Sequence, residues 1–379
     1  MRPTYPVLFR SILIGGAAAM ALLGLARPAS AQHAGKGRVE TVTVHGKSLE
    51  GNLSGEPADR EVSIYLPPSY EREKSRRYPV VILLHGYSIN NKYWIGGAPE
   101  GPAGIDVPGA MDRDVEAGKA REMILVMPNG DSKYNGSMYS SSVTSGDWES
   151  FIAEDLVAYV YSHDRTIARR GSRGLAGHSM GGYGTIRIGM KRPDVFSSLY
   201  VLSACCLMNN PAGFAQRAAA APAPGSAAPS GSTPPARASG SGANNNGDRP
   251  RAGGFGNVVK AEAAAWSPNP SKPPTYFDAP GDEGVDMALV AQKWAANSPL
   301  VMLDQYVANL KRYTAIGMDV GLQDTLLGSN QQLDKALTAS GVQHTFATYE
   351  GDHVNHIADR MEQAVLPFFS EHLGGNVKR

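Results

Sequence analysis

The stretch GLAGHSMGGYG, residues 174–184, decides the fold of this chain. Its first three residues are small or apolar and predict a short buried strand, while residues 183–190 predict a helix. Between the two, Gly177 and Gly181 flank Ser179 in a G-x-S-x-G pattern, which is typical of a sharp strand-to-helix turn that exposes a serine hydroxyl. A serine at a helix N-terminus is also surrounded by backbone N–H groups that favour an oxyanion. We therefore predict that Ser179 is a nucleophile.

Strands and helices alternate on both sides of this motif. Apolar runs predict buried strands at residues 62–66, 79–84, 123–127 and 199–203, and further runs predict late strands at 313–320 and 343–349. Helical patterns occur at residues 147–162, from 258 onward, at 285–310, at 330–340 and at 355–372. This alternation predicts a mostly parallel, doubly wound sheet with helices on both faces. Together with the G-x-S-x-G turn around Ser179, it predicts the α/β-hydrolase fold.

Composition and charge exclude several classes of protein. The 379 residues carry 36 basic and 35 acidic side chains, a formal net charge of +1, so charge gives no reason to expect nucleic acid or an anionic membrane as partner. The sequence shows neither a metal-ligand spacing nor a Gly-rich phosphate-binding loop. We therefore predict an enzyme that needs no metal and no cofactor.

The N-terminal residues have the pattern of a secretory signal peptide. Two early arginines precede an apolar run at residues 12–25, and the small residues before Gln32 form a cleavage site. A membrane anchor is disfavoured because about 14 apolar residues are fewer than the roughly 20 that span a bilayer. We predict that residues 1–31 are removed after Ala31 and that the mature chain works in the periplasm or outside the cell.

Residues 32–379 are predicted to form a single domain with one long insertion. At about residues 215–254 the chain consists of Ala, Pro, Ser, Gly and Asn with almost no large apolar side chain, which is typical of disorder. Essential parts of the same fold lie on both sides, so the segment is an insertion rather than a linker between domains. A disordered surface loop is favoured over a mobile lid.

Two backbone N–H groups are predicted to stabilise an oxyanion next to Ser179. Residues 85–87, a His-Gly-Tyr turn, follow a predicted strand. In this fold such a turn supplies one donor, and the residue after the nucleophile supplies the other. We assign these donors to Tyr87 and Met180, and we interpret His85 as a residue that shapes the loop.

The general base is expected on the loop after the last strand. His353 lies there, free to reach the serine, and is our choice. His356 is the near competitor but falls in the first turn of the closing helix, and His344 lies within the strand. His178, inside the nucleophile motif, is interpreted as a structural residue that points away from the reactive side of the serine.

The acid that orients this histidine is expected after the preceding strand. Asp324 lies on the loop that follows residues 313–320 and is our choice. Asp319 is the runner-up, although it falls inside the strand. Asp352 adjoins the histidine in sequence and is badly placed to orient its ring.

The two cysteines of the chain are neighbours, Cys205 and Cys206, at the end of a predicted strand. Export would permit a disulfide, although the eight-membered ring formed by adjacent cysteines strains the peptide between them. We interpret them as strand-end residues near the rim of the active site, either free or in a strained bridge.

Four stretches carry a family resemblance: LLHGY at 83–87, WESF at 148–151, GHSMGGYG at 177–184 and RPDVF at 192–196. They resemble the esterase D group of α/β hydrolases, which includes S-formylglutathione hydrolases, feruloyl and other carbohydrate-linked esterases, enterochelin-type esterases and the antigen 85 mycolyltransferases. The resemblance covers most of residues 60–372 and implies the triad of Ser179, Asp324 and His353. Its departure is the insertion after Ser203, where members of the group vary, and this leaves the substrate open.

These features together predict an exported serine esterase that hydrolyses a small-molecule or carbohydrate-linked carboxylic ester through an acyl-enzyme. One alternative is an acyltransferase that passes the acyl group to a sugar hydroxyl, since WESF at 148–151 resembles the mycolyltransferases. Tryptophan and phenylalanine in such a motif more often pack a helix. The other alternative is a catalytically silent binding protein of the same fold.

Overall fold

An eight-stranded sheet lies at the centre of the fold. The computed structural model describes residues 35–96, 104–208 and 254–375. The strands within these ranges are β1 (Arg38–His45), β2 (Asp59–Leu66), β3 (Val80–Leu84), β4 (Ile124–Pro128), β5 (Ser141–Ser142), β6 (Gly146–Asp147), β7 (Arg173–His178), β8 (Ser198–Leu202), β9 (Ala315–Gly321) and β10 (Thr345–Tyr349). The sheet has the order β1-β2-β4-β3-β7-β8-β9-β10, and β5 pairs with β6 in a separate ribbon.

The sheet is parallel except at one edge. Strands β1 and β2 are antiparallel to their neighbours, while every pair from β4 to β10 is parallel. All residues of β3, β4, β7 and β8 are buried, which explains why three of these strands are continuous apolar runs in the sequence. The predicted, mostly parallel sheet is therefore confirmed.

Helices cover both faces of the sheet. They are α1 (Val107–Glu116), α2 (Trp148–Ser150), α3 (Leu156–His163), α4 (Met180–Lys191), α5 (Gly254–Trp266), α6 (Met287–Ala295), α7 (Pro299–Leu310), α8 (Leu327–Ala339), α9 (Ile357–Arg360) and α10 (Leu366–His372). Helices α1, α9 and α10 share one buried apolar cluster with strand residues such as Val81 and Leu83. Helices α2 to α8 share the other cluster with the alternate strand residues Val80 and Ile82. The doubly wound arrangement agrees with the predicted class.

Two helical regions differ from the predictions for local reasons. The single pattern at 285–310 is two helices, α6 and α7, because Pro299 starts a new helix at its first turn, where a proline needs no N–H partner. The predicted helix at 147–162 contains a π-helical segment, Phe151–Asp155, between α2 and α3. Such a segment has no clear signature in the apolar periodicity.

Two predicted segments lie outside the described residues. They are the signal peptide at 1–31 and the insertion at 215–254, of which only Gly254, where α5 begins, is described. Strand β8 before the insertion pairs in parallel with β9 after it. Residues on both sides of the predicted insertion therefore belong to one sheet.

The carboxyl ends of β3, β7, β9 and β10 meet at the same edge of the sheet because these strands are parallel. Residues 85–87 follow β3, and Ser179 follows β7. Residues 322–324 follow β9, and residues 350–353 follow β10. This edge, where ligands of open α/β sheets bind, therefore carries all the predicted site residues.

Candidate active site

Ser179 lies in a sharp turn between β7 and α4. Its φ of 58° and ψ of −113° are rare for a residue other than glycine and lift it out of the line of the strand. A side chain on Gly177 would collide with the backbone of Gly181, and one on Gly181 would collide with the backbone of Leu84. The two glycines are therefore required by the close approach of backbone to backbone around the serine.

Ser179, His353 and Asp324 form a continuous hydrogen-bond chain. The Ser179 hydroxyl lies 2.9 Å from Nε2 of His353. On the other side of the ring, Nδ1 of His353 donates to Oδ2 of Asp324 at 2.8 Å. Three residues that lie 174 and 29 positions apart in the chain thus meet at one edge of the sheet. This order of groups is the one that transfers a proton from a serine to an imidazole.

The carboxyl of Asp324 is held in its ionised form. Its side chain is completely buried, which opposes ionisation, but the hydrogen bonds from His353 and from the Leu326 amide outweigh burial and lower the pKa of the carboxyl. A carboxylate accepts the Nδ1 proton of His353 and so leaves Nε2 free to accept the proton of Ser179.

The other candidate acids have different partners. Asp319 lies inside β9, where it accepts hydrogen bonds from Tyr200 at 2.9 Å and from Arg360 at 2.8 Å. Asp352 accepts from the amides of Val354 and Asn355 and so shapes its own loop. The geometry brings neither carboxylate to the ring of the base.

The competing histidines are also engaged elsewhere. His356 contacts Asp359 at 2.6 Å, one turn along the closing helical region. His344 lies just before β10 rather than within it, and its Nε2 is 2.9 Å from Asp334. Neither histidine is hydrogen-bonded to the serine.

His178 supports the base loop, a contact that the sequence did not predict. Its Nε2 donates to the backbone carbonyl of His353 at 2.8 Å, and the two ring centroids are 4.7 Å apart. The side chain of His178 therefore lies beside His353. Its burial agrees with the expected structural role. Burial and then the neighbouring His353 lower the pKa of His178 to about 3, so it stays neutral beside the His353 ring.

The proposed oxyanion donors lie on the turn after β3 and at the start of α4, two segments that meet at the serine. Met180 is the first residue of α4, where backbone N–H groups have no acceptor within the helix. The turn that carries Tyr87 approaches so closely that a Cβ on Gly86 would lie 3.4 Å from Cβ of Ser179. A Cβ on Gly136 would touch Sδ of Met180 at 2.6 Å and the Tyr87 ring at 2.8 Å, so both side chains lie against Gly136.

The buried side chain of His85 stabilises the turn that carries Tyr87. Its Nδ1 donates to the Gly86 carbonyl at 2.7 Å, and its Nε2 accepts from the Gly130 amide at 2.8 Å. Complete burial lowers the pKa of His85 to about 4, which keeps the ring neutral and able to accept that bond. These contacts agree with the structural interpretation of His85.

The loop that carries Asp324 is hydrogen-bonded directly to the loop that carries His353. The Gln323 amide donates to the Gly351 carbonyl at 2.9 Å, and its side-chain Oε1 accepts from the Gly351 amide at 2.5 Å. A Cβ on Gly321 would collide with the Gly351 carbonyl oxygen. The sequence analysis did not predict these two contacts. The glycines at 321 and 351 could have indicated them, because glycine permits such a close approach of two backbones.

The described ranges contain neither a candidate metal site nor a helix that could span a membrane. No group of three or more His, Cys, Asp or Glu side chains there could hold a metal ion. Nor is any helix of these ranges long and apolar enough to cross a membrane.

Known proteins share both sequence and fold with this chain. Esterase Rv1288 of Mycobacterium tuberculosis is 34% identical over 138 residues, which are 36% of this chain and 27% of that protein. An endo-1,4-beta-xylanase/feruloyl esterase of Xylanibacter ruminicola is 33% identical over 147 residues, 37% of this chain and 19% of that protein. The chain therefore matches only about a quarter of the length of these relatives or less.

Solved structures match nearly the whole chain at low identity. A ferulic acid esterase superposes with a TM-score of 0.59 and 22% identity, covering 89% of this chain and 99% of its own. The S-formylglutathione hydrolase FrmB of Staphylococcus aureus superposes with a TM-score of 0.53 and 16% identity, covering 90% of this chain and 100% of its own. These similarities show the predicted α/β-hydrolase fold.

The family itself is established by sequence. A profile of the family described as "Putative esterase" matches residues 56–357, which contain the serine motif, the acid loop and the base loop. The esterase-type family to which the four motifs pointed is thereby confirmed. This chain belongs to the Putative esterase family.

Proposed function

We propose that this chain is a serine esterase, with Ser179 as nucleophile, His353 as general base and Asp324 as the acid that orients the base. The observation that carries the proposal is the hydrogen-bond chain from Asp324 through His353 to Ser179, with links of 2.8 and 2.9 Å. Membership of an esterase family supports the reaction class. A silent binding protein would have no need to maintain this geometry.

In the first proposed step, Ser179 Oγ attacks the ester carbonyl while Nε2 of His353 accepts its proton. Asp324 stabilises the imidazolium that forms. The amides of Tyr87 and Met180 hold the carbonyl oxygen as it becomes an oxyanion. When the tetrahedral intermediate collapses, His353 protonates the departing alcohol, and Ser179 is left acylated.

In the second step, water replaces the alcohol. His353 removes a proton from water, which attacks the acyl carbonyl, and the same two amides hold the second oxyanion. The proton then returns to Ser179 as the carboxylic acid leaves. Proton transfer and oxyanion binding are thus carried by side chains and backbone of the chain itself.

Hydrolysis is proposed rather than transfer to a sugar, because the motif that suggested transfer lies inside the core. Trp148 and Phe151 are fully buried and pack edge to face with ring centroids 5.6 Å apart. Glu149 is buried as well and pairs with Arg187 of α4 at 2.8 Å. The motif therefore braces the helix that begins at the nucleophile and presents no surface to an acceptor.

We further propose that the substrate is a small-molecule or carbohydrate-linked ester and that the chain acts after export. Two observations support the substrate class: one relative is named as a xylanase/feruloyl esterase, and one structural neighbour as a ferulic acid esterase. The N-terminal pattern supports export, with cleavage after Ala31. Esters on polysaccharides outside the cytoplasm would then be accessible.

The test begins with the chain from Gln32 and p-nitrophenyl acetate and butyrate as substrates. Wild type should hydrolyse both esters and react covalently with a fluorophosphonate probe, and Ser179→Ala should do neither. Ser162→Ala is the matched control, because that hydroxyl bonds only neighbouring residues of its own helix, α3. A folded wild type that neither hydrolyses nor reacts would refute the proposal.

Substrate class is tested separately with methyl ferulate, feruloylated arabinoxylan and acetylated xylan. Release of ferulate or acetate that depends on Ser179 would support a carbohydrate-linked ester. Product analysis with added disaccharide distinguishes the acyltransferase, which would form acylated sugar in preference to free acid.

A further inference from the structure

Cys205 and Cys206 lie on the loop after β8, beside the proposed nucleophile. The Cys205 amide donates to the carbonyl oxygen of Ser179 at 3.1 Å. Both side chains are half-buried and pack against the larger apolar cluster. Their sulfur atoms are 2.6 Å apart, which is closer than two unbonded sulfur atoms normally approach.

The backbone is bent so that these two adjacent side chains meet. In an extended strand, successive side chains point to opposite faces, and neighbouring sulfurs would be far apart. Here the chain turns after β8 with positive φ angles at Ser203, 42°, and at Cys206, 58°. Such angles are uncommon in residues with a Cβ, so the turn requires support from the surrounding structure.

That support comes from hydrogen bonds to the neighbouring peptides. The Ser203 amide donates to the Asp319 carbonyl at 2.8 Å. Asn330 bonds both sides of Ala204, accepting from its amide at 3.1 Å and donating to its carbonyl at 2.9 Å. The loop therefore holds the sulfurs together without further movement of the backbone.

The surroundings of Cys206 also disfavour a free thiolate. The contact with Cys205 and then burial raise the pKa of the Cys206 thiol, and Glu262 of α5 lies 3.6 Å from its sulfur. A disulfide has no ionisable proton, so it would occupy this position beside a carboxylate without the cost of burying a charge.

We propose that Cys205 and Cys206 are an oxidation site that forms a vicinal disulfide and locks the loop against the Ser179 turn. The oxidant is a low-molecular-mass disulfide such as oxidised glutathione. One cysteine attacks it and releases one glutathione thiol; the second cysteine then displaces the other glutathione from the mixed disulfide. Two protein thiols lose two electrons and two protons, and one glutathione disulfide becomes two thiols. A bond of about 2.05 Å requires the sulfurs to approach by only about half an ångström.

The bridge is tested by mass spectrometry on the full chain. One sample is reduced and the other is treated with oxidised glutathione, and both are then unfolded in the presence of N-ethylmaleimide. The reduced sample should take up two maleimides, and the oxidised sample none, with a mass lower by two hydrogens. Trypsin gives one peptide, 192–217, that holds both cysteines. Its oxidised form should show no backbone fragment from cleavage between residues 205 and 206. Two maleimides, a retained glutathione or a covalent dimer in the oxidised sample would overturn the proposal.

The lock is tested by amide hydrogen exchange, with the Cys205→Ser/Cys206→Ser double variant as control. Reduction of the wild type should raise deuterium uptake in residues 203–207, whereas the same reductant should leave the double variant unchanged. Equal uptake by the oxidised and reduced wild type would overturn the lock. Neither readout depends on ester hydrolysis, so failure here is distinguishable from failure of the proposed function.

Discussion

Replacement of Asp324 by asparagine tests the proposed acid with little change of shape. Asparagine can still accept the Leu326 amide through its oxygen, a bond of 2.8 Å in the wild type. Its NH2 group then faces Nδ1 of His353, which becomes an acceptor, so the ring proton moves to Nε2. A ring protonated at Nε2 cannot accept the proton of Ser179. The nucleophile therefore loses its base although every residue remains in place.

The expected loss is large because the effect falls on proton transfer itself. Enforcing the wrong tautomer in such a triad lowers kcat by about 10⁴-fold, which corresponds to about 5 kcal/mol of activation free energy. Stability should change much less, since the buried side chain of Asp324 keeps its volume and one of its hydrogen bonds. We expect the thermal midpoint of Asp324→Asn to stay within a few degrees of wild type.

The matched control is Asp319→Asn, the same change five residues earlier, inside β9. Asp319 is buried and bonded to Arg360 and Tyr200, and it does not contact His353. Breaking a buried ion pair costs about 3 kcal/mol or more. Arg360 keeps partial access to solvent, with 19% of its side chain exposed, so we expect the low end of that cost. The folded fraction should retain kcat/KM within tenfold of wild type.

The assay is hydrolysis of p-nitrophenyl butyrate at pH 8, together with thermal unfolding and fluorophosphonate labelling of each variant. Asp324→Asn should be folded but almost inactive, and Asp319→Asn less stable but active. The opposite pattern, with Asp324→Asn above a tenth of wild-type kcat/KM and a folded Asp319→Asn inactive, would refute the assignment of the acid.

Three further changes test the loops and the core. In Gly321→Ala the added methyl group would collide with the Gly351 carbonyl oxygen, so kcat/KM should fall at least tenfold. The circular dichroism spectrum should stay native. Unchanged kinetics would show that the loops can separate freely. His178→Leu removes the donor to the His353 carbonyl and should lower kcat/KM about tenfold, which corresponds to the free energy of roughly one hydrogen bond. His178→Gln keeps a donor, so its kcat/KM should fall less. Equal losses of kcat/KM in the two variants would contradict a positioning role. Burial and then Glu40 raise the pKa of Asp164 to about 6, so the folded state binds that proton more tightly and stability falls as pH rises from about 4 to 6. Asp164→Asn should therefore be more stable than wild type by about 3 kcal/mol in urea at pH 8 but not at pH 4. A destabilised variant at pH 8 would disprove this.

Local patterns are enough to predict the sheet because most of its strands are buried on both faces. Strands β3, β4 and β8 are continuous apolar runs, and their observed ends lie within one residue of the predicted ones. Strand β1 gives no such signal, since seven of its eight residues are exposed or half-exposed at the sheet edge. Its pairing with β2 depends on backbone bonds that apolar periodicity does not report.

The candidate site was predictable where chain order determines it. Parallel strands place their following loops at one edge, so a serine, an aspartate and a histidine after β7, β9 and β10 are brought together by topology. Topology does not predict distances between side chains. The contacts of His178 with the His353 carbonyl and of Gln323 with Gly351 join residues 175 and 28 positions apart, and no local pattern records them.

Close approach between loops explains how Ser179, His353 and Asp324 come within hydrogen-bonding distance of one another. At Gly181 the helix start lies directly on the end of β3, and at Gly321 the acid loop lies directly on the base loop. Each contact is between backbones and leaves no space for a methyl group. The separations of 2.9 and 2.8 Å in the Ser179–His353–Asp324 chain therefore depend on residues that carry no chemistry of their own. A small displacement of either loop would lengthen these bonds. Substitutions at the two glycines should accordingly reduce turnover at a temperature where the protein is still folded.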